Sequence, residues 1–480
     1  MMIRHIVGPP GTGKTWALTE SVRGLISDGL APERIAVVSY TTAAVAEAMA
    51  RLGDDLGIDP RQPYWGTIHR IGLHHISIER GRCRVLAPGG QEWKEFCSQR
   101  SLETNGGTAD AADRWETAKI GDLMLGIYDF RRNTMMSVDE ARSYLARTQL
   151  VTVELPPARQ LEWFEREYEE YKRENMLVDF SDMLTYMHAS GWSPSIDALV
   201  VDEAQDLTPI QAELIKRWSQ NIPTVLAYDD DQAIYGFQGA SPQWLIDMPG
   251  KVTTLAKSRR VPRAVAQAAQ DLIRTNRMRR DKRWLPRDEV GEIAHGSLDV
   301  LPAMIDRYEG TWFVLVRNRM FLEDVQDVLE DAGIVYANRS GWSPVRLFES
   351  ERLDTVLAIV TGAPVLPGEL RPLVRAKPAL FLPLAGRVLG QRTTPLERDD
   401  IARLLSDRGR PLIGGNVYRA LRAYGLWDRS AAFVTRLVSR PHWRKELESP
   451  RVTLGTIHSA KGREADNVVL VPDMTKRTAM

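Results

Sequence analysis

One octapeptide near the amino terminus constrains the fold of this chain more than any other feature. Residues 8–15 read Gly-Pro-Pro-Gly-Thr-Gly-Lys-Thr and match every fixed position of the phosphate-loop pattern G-x-x-x-x-G-K-[ST]. An apolar run, Ile3 to Val7, precedes the loop, and Trp16 to Ile26 read as the helix that should follow it. Because this strand–loop–helix unit belongs to parallel sheets, the sequence predicts an α/β fold that binds a nucleoside triphosphate, with ATP favoured.

The residue types of this loop predict its chemistry. Glycines let backbone N–H groups turn towards phosphate oxygens, and the amino terminus of the following helix adds a favourable dipole. Lys14 is expected to reach the β and γ phosphates, and Thr15 to bind Mg²⁺. The predicted nucleotide-binding residues of the loop are Gly8, Pro9, Pro10, Gly11, Thr12, Gly13, Lys14 and Thr15.

A second apolar run ends in a pair of acids. Ala198 to Val201 is typical of a buried parallel strand, and Asp202 and Glu203 follow it. Open α/β sheets bind ligands at the carboxyl ends of their strands. One carboxylate is therefore expected to hold Mg²⁺, and its neighbour to orient or deprotonate water. Taken alone, the pair would read as an acidic turn, and only the phosphate loop favours the catalytic interpretation.

Composition excludes several other classes of protein. A chain of 480 residues is too long for one hydrophobic core, so about two to four domains are expected. Its cysteines, Cys83 and Cys97, are too few for a disulfide scaffold or a four-cysteine zinc or iron–sulfur site. No signal sequence opens the chain and no apolar run reaches membrane-spanning length. We expect a cytoplasmic protein without membrane contact.

The formal net charge of +0 conceals a basic segment. Residues 371–445 contain 16 Lys plus Arg and 5 Asp plus Glu, a local balance of +11. Such a segment can follow a phosphate backbone. A solvated face of a helical domain is an equally good explanation of the charge alone.

Further motifs follow one another in a fixed order. They are Thr41-Thr42 after the apolar run 35–40, Gly-Thr-Ile-His-Arg at 66–70, Asp-Asp-Asp-Gln-Ala-Ile-Tyr-Gly-Phe-Gln-Gly-Ala at 229–240, Leu-Ala-Lys-Ser-Arg-Arg at 255–260, and Val-Thr-Leu-Gly-Thr-Ile-His-Ser-Ala-Lys-Gly-Arg-Glu at 452–464. Each could be a turn or a cap. Together, and in this order, they indicate one protein family.

In this combination the chain resembles superfamily 1A DNA helicases of the UvrD, Rep and PcrA type. The resemblance covers nearly the whole chain, because residues 177–184 also resemble that family's L-D-F-x-D-L segment. It implies an α/β fold with two RecA-like P-loop NTPase lobes, whose parallel sheets are flanked by helices and carry helical insertions. ATP would lie in the cleft between the lobes, and single-stranded DNA would run across both.

The motif positions predict the domains. The expected ranges are 1–84 and 177–265 for the first RecA-like lobe, 85–176 for a helical insertion, 266–348 and 450–480 for a second lobe, whether complete or incomplete, and 349–449 for a basic helical insertion.

Catalytic roles also follow from the resemblance. Asp202 would bind the metal with Thr15, and Glu203 would serve the attacking water. Gln232 matches the family's γ-phosphate sensor, and Arg260 its arginine finger, which stabilises charge in the transition state. Glu464 matches the acid that meets the nucleotide ribose.

Two positions near the expected base differ from the family. Arg259 stands where the family has an adenine-stacking tyrosine. Trp16 stands where it often has arginine after G-K-T, and could face the base; packing against its own helix is the alternative.

The predicted DNA contacts are of two kinds. Thr41, Thr42, Thr67, His69, Thr456 and His458 lie where the family contacts the DNA backbone, which holds DNA without reading sequence. Tyr235 and Phe237 lie where aromatic residues stack on bases. A hydrophobic-core role competes for both aromatic residues, most strongly for Phe237, and a structural hydrogen bond competes for the two histidines.

Two departures concern the ends of the sequence. We find neither the family's upstream segment, which recognises adenine, nor its last motif, which gives the γ phosphate a second arginine. A truncated chain, a split gene whose partner supplies the motif, or a substitute such as Arg463 or Arg477 would each explain the second departure.

The function predicted from the resemblance is that of an ATP-dependent, 3′ to 5′ single-stranded DNA translocase or helicase. Its expected partners are single-stranded DNA, single-strand/duplex junctions and a protein that supplies the last motif, in the cytoplasm and at the nucleoid of a prokaryote or phage-infected cell. The alternatives are a nucleotide-dependent DNA-binding or regulatory module with weak turnover, or one half of a split helicase. The pathway served, repair or replication among others, stays open.

Overall fold

The computed structural model consists of two compact units, Met1–Ala294 and His295–Met480. Thr41, Thr42 and Arg477, which were predicted above, lie outside the residues that the structure describes. The described residues are 3–39, 59, 62–81, 83–106, 118–148, 151, 153–276, 278–338, 343–344, 347–348 and 352–473.

Parallel strands form the centre of the first unit. Its strands are β1 Ile3–Val7, β2 Ile35–Ser39, β3 Trp65–Gly66, β4 Arg84–Val85, β5 Leu177–Val178, β6 Ala198–Asp202, β7 Thr224–Tyr228 and β8 Lys251–Thr254. Among the described residues, six of them form one sheet in the order β3-β2-β6-β7-β1-β8, and β4 pairs with β5 separately. All neighbouring pairs of the main sheet are parallel, so the carboxyl ends of β1, β6 and β7 share one edge.

Both faces of this sheet are buried. Alternate residues along a strand point to opposite faces. Ile6 accordingly packs with Leu18 and Val22 of the first helix, whereas Val7 packs in a second cluster with Leu199 and Val201 on the other side. A parallel sheet covered on both faces needs near-continuous apolar strands, and the fully buried β2 and β6 meet that requirement.

Helices cover the sheet and form the insertion. Among its described residues, the helices of the first unit are α1 Lys14–Ser27, α2 Ile68–Arg80, α3 Gln91–Gln99, α4 Ile120–Thr134, α5 Val138–Arg147, α6 Ala158–Glu174, α7 Phe180–Ala189, α8 Pro209–Trp218, α9 Gln243–Asp247 and α10 Arg263–Ile273. Helices α3 to α6 enclose a separate aromatic core around Trp93, Phe96, Phe164 and Tyr168. This core lies within the predicted insertion.

The second unit combines a smaller sheet with a helical part. Its strands are β9 Trp312–Val316, β10 Tyr336–Asn338, β11 Val452–Thr456 and β12 Asn467–Val471, which pair in parallel in the order β10-β11-β9-β12. Its helices are α11 Leu301–Arg307, α12 Leu322–Asp331, α13 Leu353–Thr361, α14 Pro367–Ala376, α15 Ala385–Gln391, α16 Arg398–Ala402, α17 Val417–Tyr424, α18 Asp428–Val438 and α19 Trp443–Glu448. The basic segment thus folds into helices, whose apolar faces share one core.

These observations confirm the predicted α/β fold with parallel sheets flanked by helices. Residues 266–294, which the motif positions assigned to the second lobe, belong to the first compact unit. Residues 279–285 form hydrogen bonds and ion pairs with residues that follow β7 and β8, and these contacts attach the stretch to the first unit. None of the helices in the described part of the chain is long and apolar enough to cross a membrane.

Candidate nucleotide-binding and DNA-binding sites

The phosphate loop joins β1 to α1 and depends on its glycines. Gly13 precedes α1 with a φ of 89°, and Gly11 has a φ of 73°, a region that favours glycine. A Cβ atom on Gly8 would lie 2.5 Å from Thr12 Oγ1 and 2.9 Å from the carbonyl oxygen of Leu255. The fixed glycines of the pattern are therefore required by backbone conformation and close contact here.

The lysine of the loop is held by the loop itself. Lys14 Nζ donates hydrogen bonds to the carbonyl oxygens of Gly8, at 2.7 Å, and Pro9, at 3.4 Å. Its ammonium group therefore lies inside the curve of the loop, where phosphate oxygens bind in proteins of this pattern.

A serine that follows β8 connects the predicted arginines to the phosphate loop. Ser258 is fully buried, and its Oγ donates to the carbonyl oxygen of Pro10 at 2.8 Å. The same Oγ accepts the N–H of Arg260 at 3.3 Å, and the N–H of Arg259 donates to Gly11 O at 2.9 Å. Sequence analysis missed Ser258. Only its position next to the two arginines could have indicated it.

The acid pair ends β6 as predicted. Thr15 Oγ1 donates to Asp202 Oδ2 at 3.5 Å, so the two predicted metal ligands are neighbours. Burial, with Glu203 beside it, raises the pKa of Asp202 to about 7. A hydroxyl and a buried carboxylate are hard oxygen ligands whose charge a cation would compensate, so these residues fit Mg²⁺.

Glu203 has an unusual backbone and a buried partner. Its φ of 51° lies in the left-handed region, which is uncommon for a non-glycine residue and concentrates at functional sites. Gln205 Nε2 donates to Glu203 Oε2 at 2.5 Å, while Gln205 Oε1 accepts the N–H of Asp229 at 3.1 Å. The fully buried Gln205 amide thus joins the ends of β6 and β7. Sequence analysis gave Gln205 no role.

The predicted sensor stands at the end of β7. Gln232 lies in a 3₁₀ helix, Asp230–Gln232, and its Nε2 donates to Asp229 Oδ2 at 2.5 Å. Burial raises the pKa of Asp229, and the charges of Lys14 and Lys282 oppose this rise. Asp229 therefore lies within the electrostatic influence of the phosphate-loop lysine and also binds the sensor.

The first unit thus brings together most of the predicted nucleotide site. The loop, Asp202, Glu203, Gln232 and both arginines lie around one edge of the main sheet. Trp16, on the first turn of α1, is 60% exposed, which counts against the packing alternative.

The DNA candidates of the first unit differ in their surroundings. Thr67 caps α2, and its Oγ1 accepts the N–H of Arg70 at 3.2 Å. The His69 ring meets the Phe180 ring edge-on at 5.6 Å, and burial lowers the pKa of His69 to about 4. Tyr235 and Phe237 are 5.9 Å apart, and Phe237 also packs against the aromatic core of the insertion, which supports the core alternative for that residue.

The remaining candidates belong to the second unit. Thr456 ends β11 and is buried, and its Oγ1 accepts the N–H of Ser459 at 3.3 Å. His458 is only 9% exposed, whereas Glu464 is exposed. The guanidinium carbon of Arg463 lies 5.0 Å from the centre of the Phe313 ring.

Known protein families and sequences include relatives of this chain. A model of the UvrD/REP helicase N-terminal domain matches residues 3–252, more than half of the chain. The chain belongs to the UvrD/Rep helicase family. Within the family, ATP-dependent DNA helicase UvrD2 of Mycobacterium tuberculosis (strain H37Rv) is 26% identical over 97% of this chain and 70% of its own length.

Two relatives from Escherichia coli K12 match shorter regions. DNA helicase II is 24% identical over 74% of this chain and 51% of its own length. ATP-dependent DNA helicase Rep is 25% identical over 64% of this chain and 46% of its own length. The matched region spans about half the length of each of these two UvrD/Rep relatives.

Proposed function

We propose that this chain is an ATP-driven motor that moves 3′ to 5′ along single-stranded DNA and unwinds duplex DNA at single-strand/duplex junctions. The observation that carries the proposal is the set of groups around one sheet edge. These groups are a phosphate loop with its lysine, a Thr–Asp pair, a glutamate, a glutamine and two arginines. Phosphoryl transfer to water needs groups of these kinds.

The proposed reaction assigns one task to each group. Lys14 binds the β and γ phosphates, and Thr15 with Asp202 holds Mg²⁺, which when bound supplies positive charge to the phosphate oxygens. Glu203, held by Gln205, orients the attacking water and accepts its proton. Gln232 contacts the γ phosphate and that water. Arg260 stabilises the charge that develops in the transition state.

DNA binding is proposed to rest on the motif residues named above. Thr67 and the neutral imidazole of His69 would donate to backbone phosphates, and Tyr235 would stack on bases. Stacking accepts every base, which suits an enzyme that moves along DNA irrespective of sequence. The protein would act in the cytoplasm.

The first test is ATP hydrolysis by the purified chain with and without single-stranded DNA. We expect DNA to stimulate hydrolysis. Glu203→Gln should lower the stimulated kcat by about 10²- to 10⁴-fold, because it removes the proton acceptor without changing the shape of the side chain. Lys216→Ala, which breaks an exposed pair with Glu213, is the matched control and should change nothing. A folded chain that is not stimulated by DNA would count against a motor.

The direction of movement needs a separate assay. A duplex with a 3′ single-stranded tail should be unwound in the presence of ATP, and the same duplex with a 5′ tail should not. Equal unwinding of the two substrates would contradict the proposed direction.

A weakly hydrolysing DNA-binding module, or one half of a split helicase, is the second candidate. One contact favours it: Arg463, named above as a substitute for the second arginine, stacks on Phe313 within its own unit. This candidate predicts DNA affinity that changes with nucleotide, with little turnover. Restoration of turnover by a second polypeptide would identify the split form.

A further inference from the structure

We propose that Lys282 is the positioning residue of the γ-phosphate sensor, acting within a segment, residues 279–285, that ties the sensor to the arginines. We call this segment the sensor strap. The inference rests on the proposed function and adds to it a residue outside every motif recognised in the sequence.

Lys282 lies among three consecutive carboxylates. Its side chain is 1% exposed, and its Nζ lies 3.2 Å from Asp229 Oδ1, 2.6 Å from Asp230 Oδ1 and 2.7 Å from Asp231 Oδ2. The three carboxylates are themselves buried or nearly so. Like charges this close repel strongly when water is excluded, so the three acids need an internal cation.

Other residues of the sensor strap bind the same acids. Arg279 makes two hydrogen bonds to Asp231, at 2.8 and 3.1 Å, and the backbone N–H of Arg280 donates to Asp230 Oδ2 at 2.6 Å. The Arg280 guanidinium donates to the carbonyl oxygens of Leu245, at 2.8 Å, and Ile246, at 2.9 Å. The strap is therefore fixed to α9 as well as to the sensor.

Asp229 connects the sensor strap to the catalytic groups. One of its oxygens accepts the Gln232 amide, and its backbone N–H donates to Gln205, which holds Glu203. Lys282 contacts the other oxygen of the same carboxylate. The sensor thus binds directly to the carboxylate that Lys282 neutralises, and the water-orienting glutamate is two hydrogen bonds from the backbone of the same residue.

The far end of the sensor strap reaches the arginines. Ser258 N–H donates to Leu285 O at 2.8 Å, and Leu285 N–H donates to Ala256 O at 2.9 Å. Ser258 in turn binds Pro10 of the phosphate loop and the N–H of Arg260. Seven residues therefore connect the sensor, the arginine finger and the phosphate loop within one unit.

Loss of the Lys282 charge should have two effects. Gln232 and Glu203 would lose their fixed geometry, which lowers kcat. Asp229 would also depend on Lys14 for charge compensation, and Lys14 would then be drawn from the phosphates, which weakens nucleotide binding.

The test compares Lys282→Met with Lys216→Met, which should leave both measured quantities unchanged. Lys216 also pairs with an acid, Glu213, but both side chains are exposed, at 42% and 44%. Two quantities are measured: the kinetics of DNA-stimulated ATP hydrolysis, and the affinity for ATPγS with magnesium, which does not depend on turnover. For Lys282→Met we expect kcat to fall by about 100-fold, the cost of a misplacement of about 1 Å, and ATPγS affinity to fall as well. Lys282→Arg, which keeps the charge, should recover part of the kcat and part of the ATPγS affinity.

Folding is controlled with a second variant. If Lys282→Met does not fold, Lys282→Met with Asp230→Asn removes one charge of each sign, and it should fold while keeping the low kcat. A folded Lys282→Met or double variant with wild-type kcat and wild-type ATPγS affinity overturns the inference. A wild-type chain without DNA-stimulated hydrolysis overturns the proposed function instead, and the ATPγS affinities then decide the role of Lys282.

Discussion

Replacement of Gln205 by methionine tests whether a buried amide orients the catalytic glutamate. Gln205 Nε2 donates to Glu203 Oε2 at 2.5 Å and to Asp206 Oδ2 at 3.3 Å, and its Oε1 accepts the N–H of Asp229 at 3.1 Å. Methionine has a similar length but cannot make these three hydrogen bonds. The variant therefore removes the connection between the ends of β6 and β7 with little change in volume.

The cost to stability comes from the groups that stay buried. Asp229 N–H loses its acceptor, which costs about 1–3 kcal/mol, and the buried Asp206 carboxylate loses a donor worth about 1.5–3 kcal/mol. Glu203 is less buried and can bind water instead. We expect the free energy of unfolding to fall by about 2.5–6 kcal/mol.

The cost to catalysis comes from the freed Glu203. A carboxylate misplaced by about 1 Å loses about 100-fold in rate, or about 2.7 kcal/mol of transition-state stabilisation. The assay is DNA-stimulated ATP hydrolysis at saturating ATP, together with urea unfolding of the same preparation. We expect kcat to fall by about this factor and KM to change little.

Gln211→Met is the matched control for this experiment. Gln211 is also buried, but its side chain accepts the N–H of Thr208 at the start of α8 and has no hydrogen bond to Glu203 or Asp229 among those described. It should lower stability without lowering kcat. A folded Gln205→Met variant with a kcat within about threefold of the wild-type value would refute the orienting role.

Three further predictions concern other residues. Lys172→Met leaves the buried Asp179 and the partly buried Asp182 without the cation 2.7 and 2.8 Å away and should cost about 3–5 kcal/mol in urea unfolding; a loss below about 1 kcal/mol would contradict this. Trp16→Ala should weaken ATP binding by about 1–3 kcal/mol, seen as a higher KM with kcat preserved, and an unchanged KM would return Trp16 to a structural role. Because burial lowers the pKa of His69 to about 4, the unfolded state binds more protons between pH 6.5 and 4. Stability should therefore fall as the pH falls through this range, by up to about 3 kcal/mol, and less so in His69→Gln; identical pH profiles would exclude His69 as the cause.

The sequence predicted the central chemistry because that chemistry is local. A phosphate loop needs its glycines, lysine and threonine within eight residues, and an acid pair at a strand end needs only the apolar run before it. The loop accordingly joins β1 to α1, and Asp202 stands beside Thr15 as expected. The apolar run 35–40 also predicted β2, because a strand buried on both faces must be apolar throughout.

The sequence could not predict the residues that hold this site together. Gln205, Ser258 and Lys282 act through partners at distant positions in the chain, such as Asp229, Pro10 and the three carboxylates. No periodicity or short motif records which strand ends are neighbours, since the order β6-β7-β1 is set by packing of the whole sheet.

The sequence by itself therefore determined which groups do the proposed chemistry: Lys14, Thr15, Asp202 and Glu203 occur in local patterns that restrict the backbone and the charge around them. Only the tertiary structure decided how those groups are held. A buried polar group must find its partner wherever the fold brings one within hydrogen-bond distance, and for Asp229 that partner includes Lys282, more than fifty residues further along the chain.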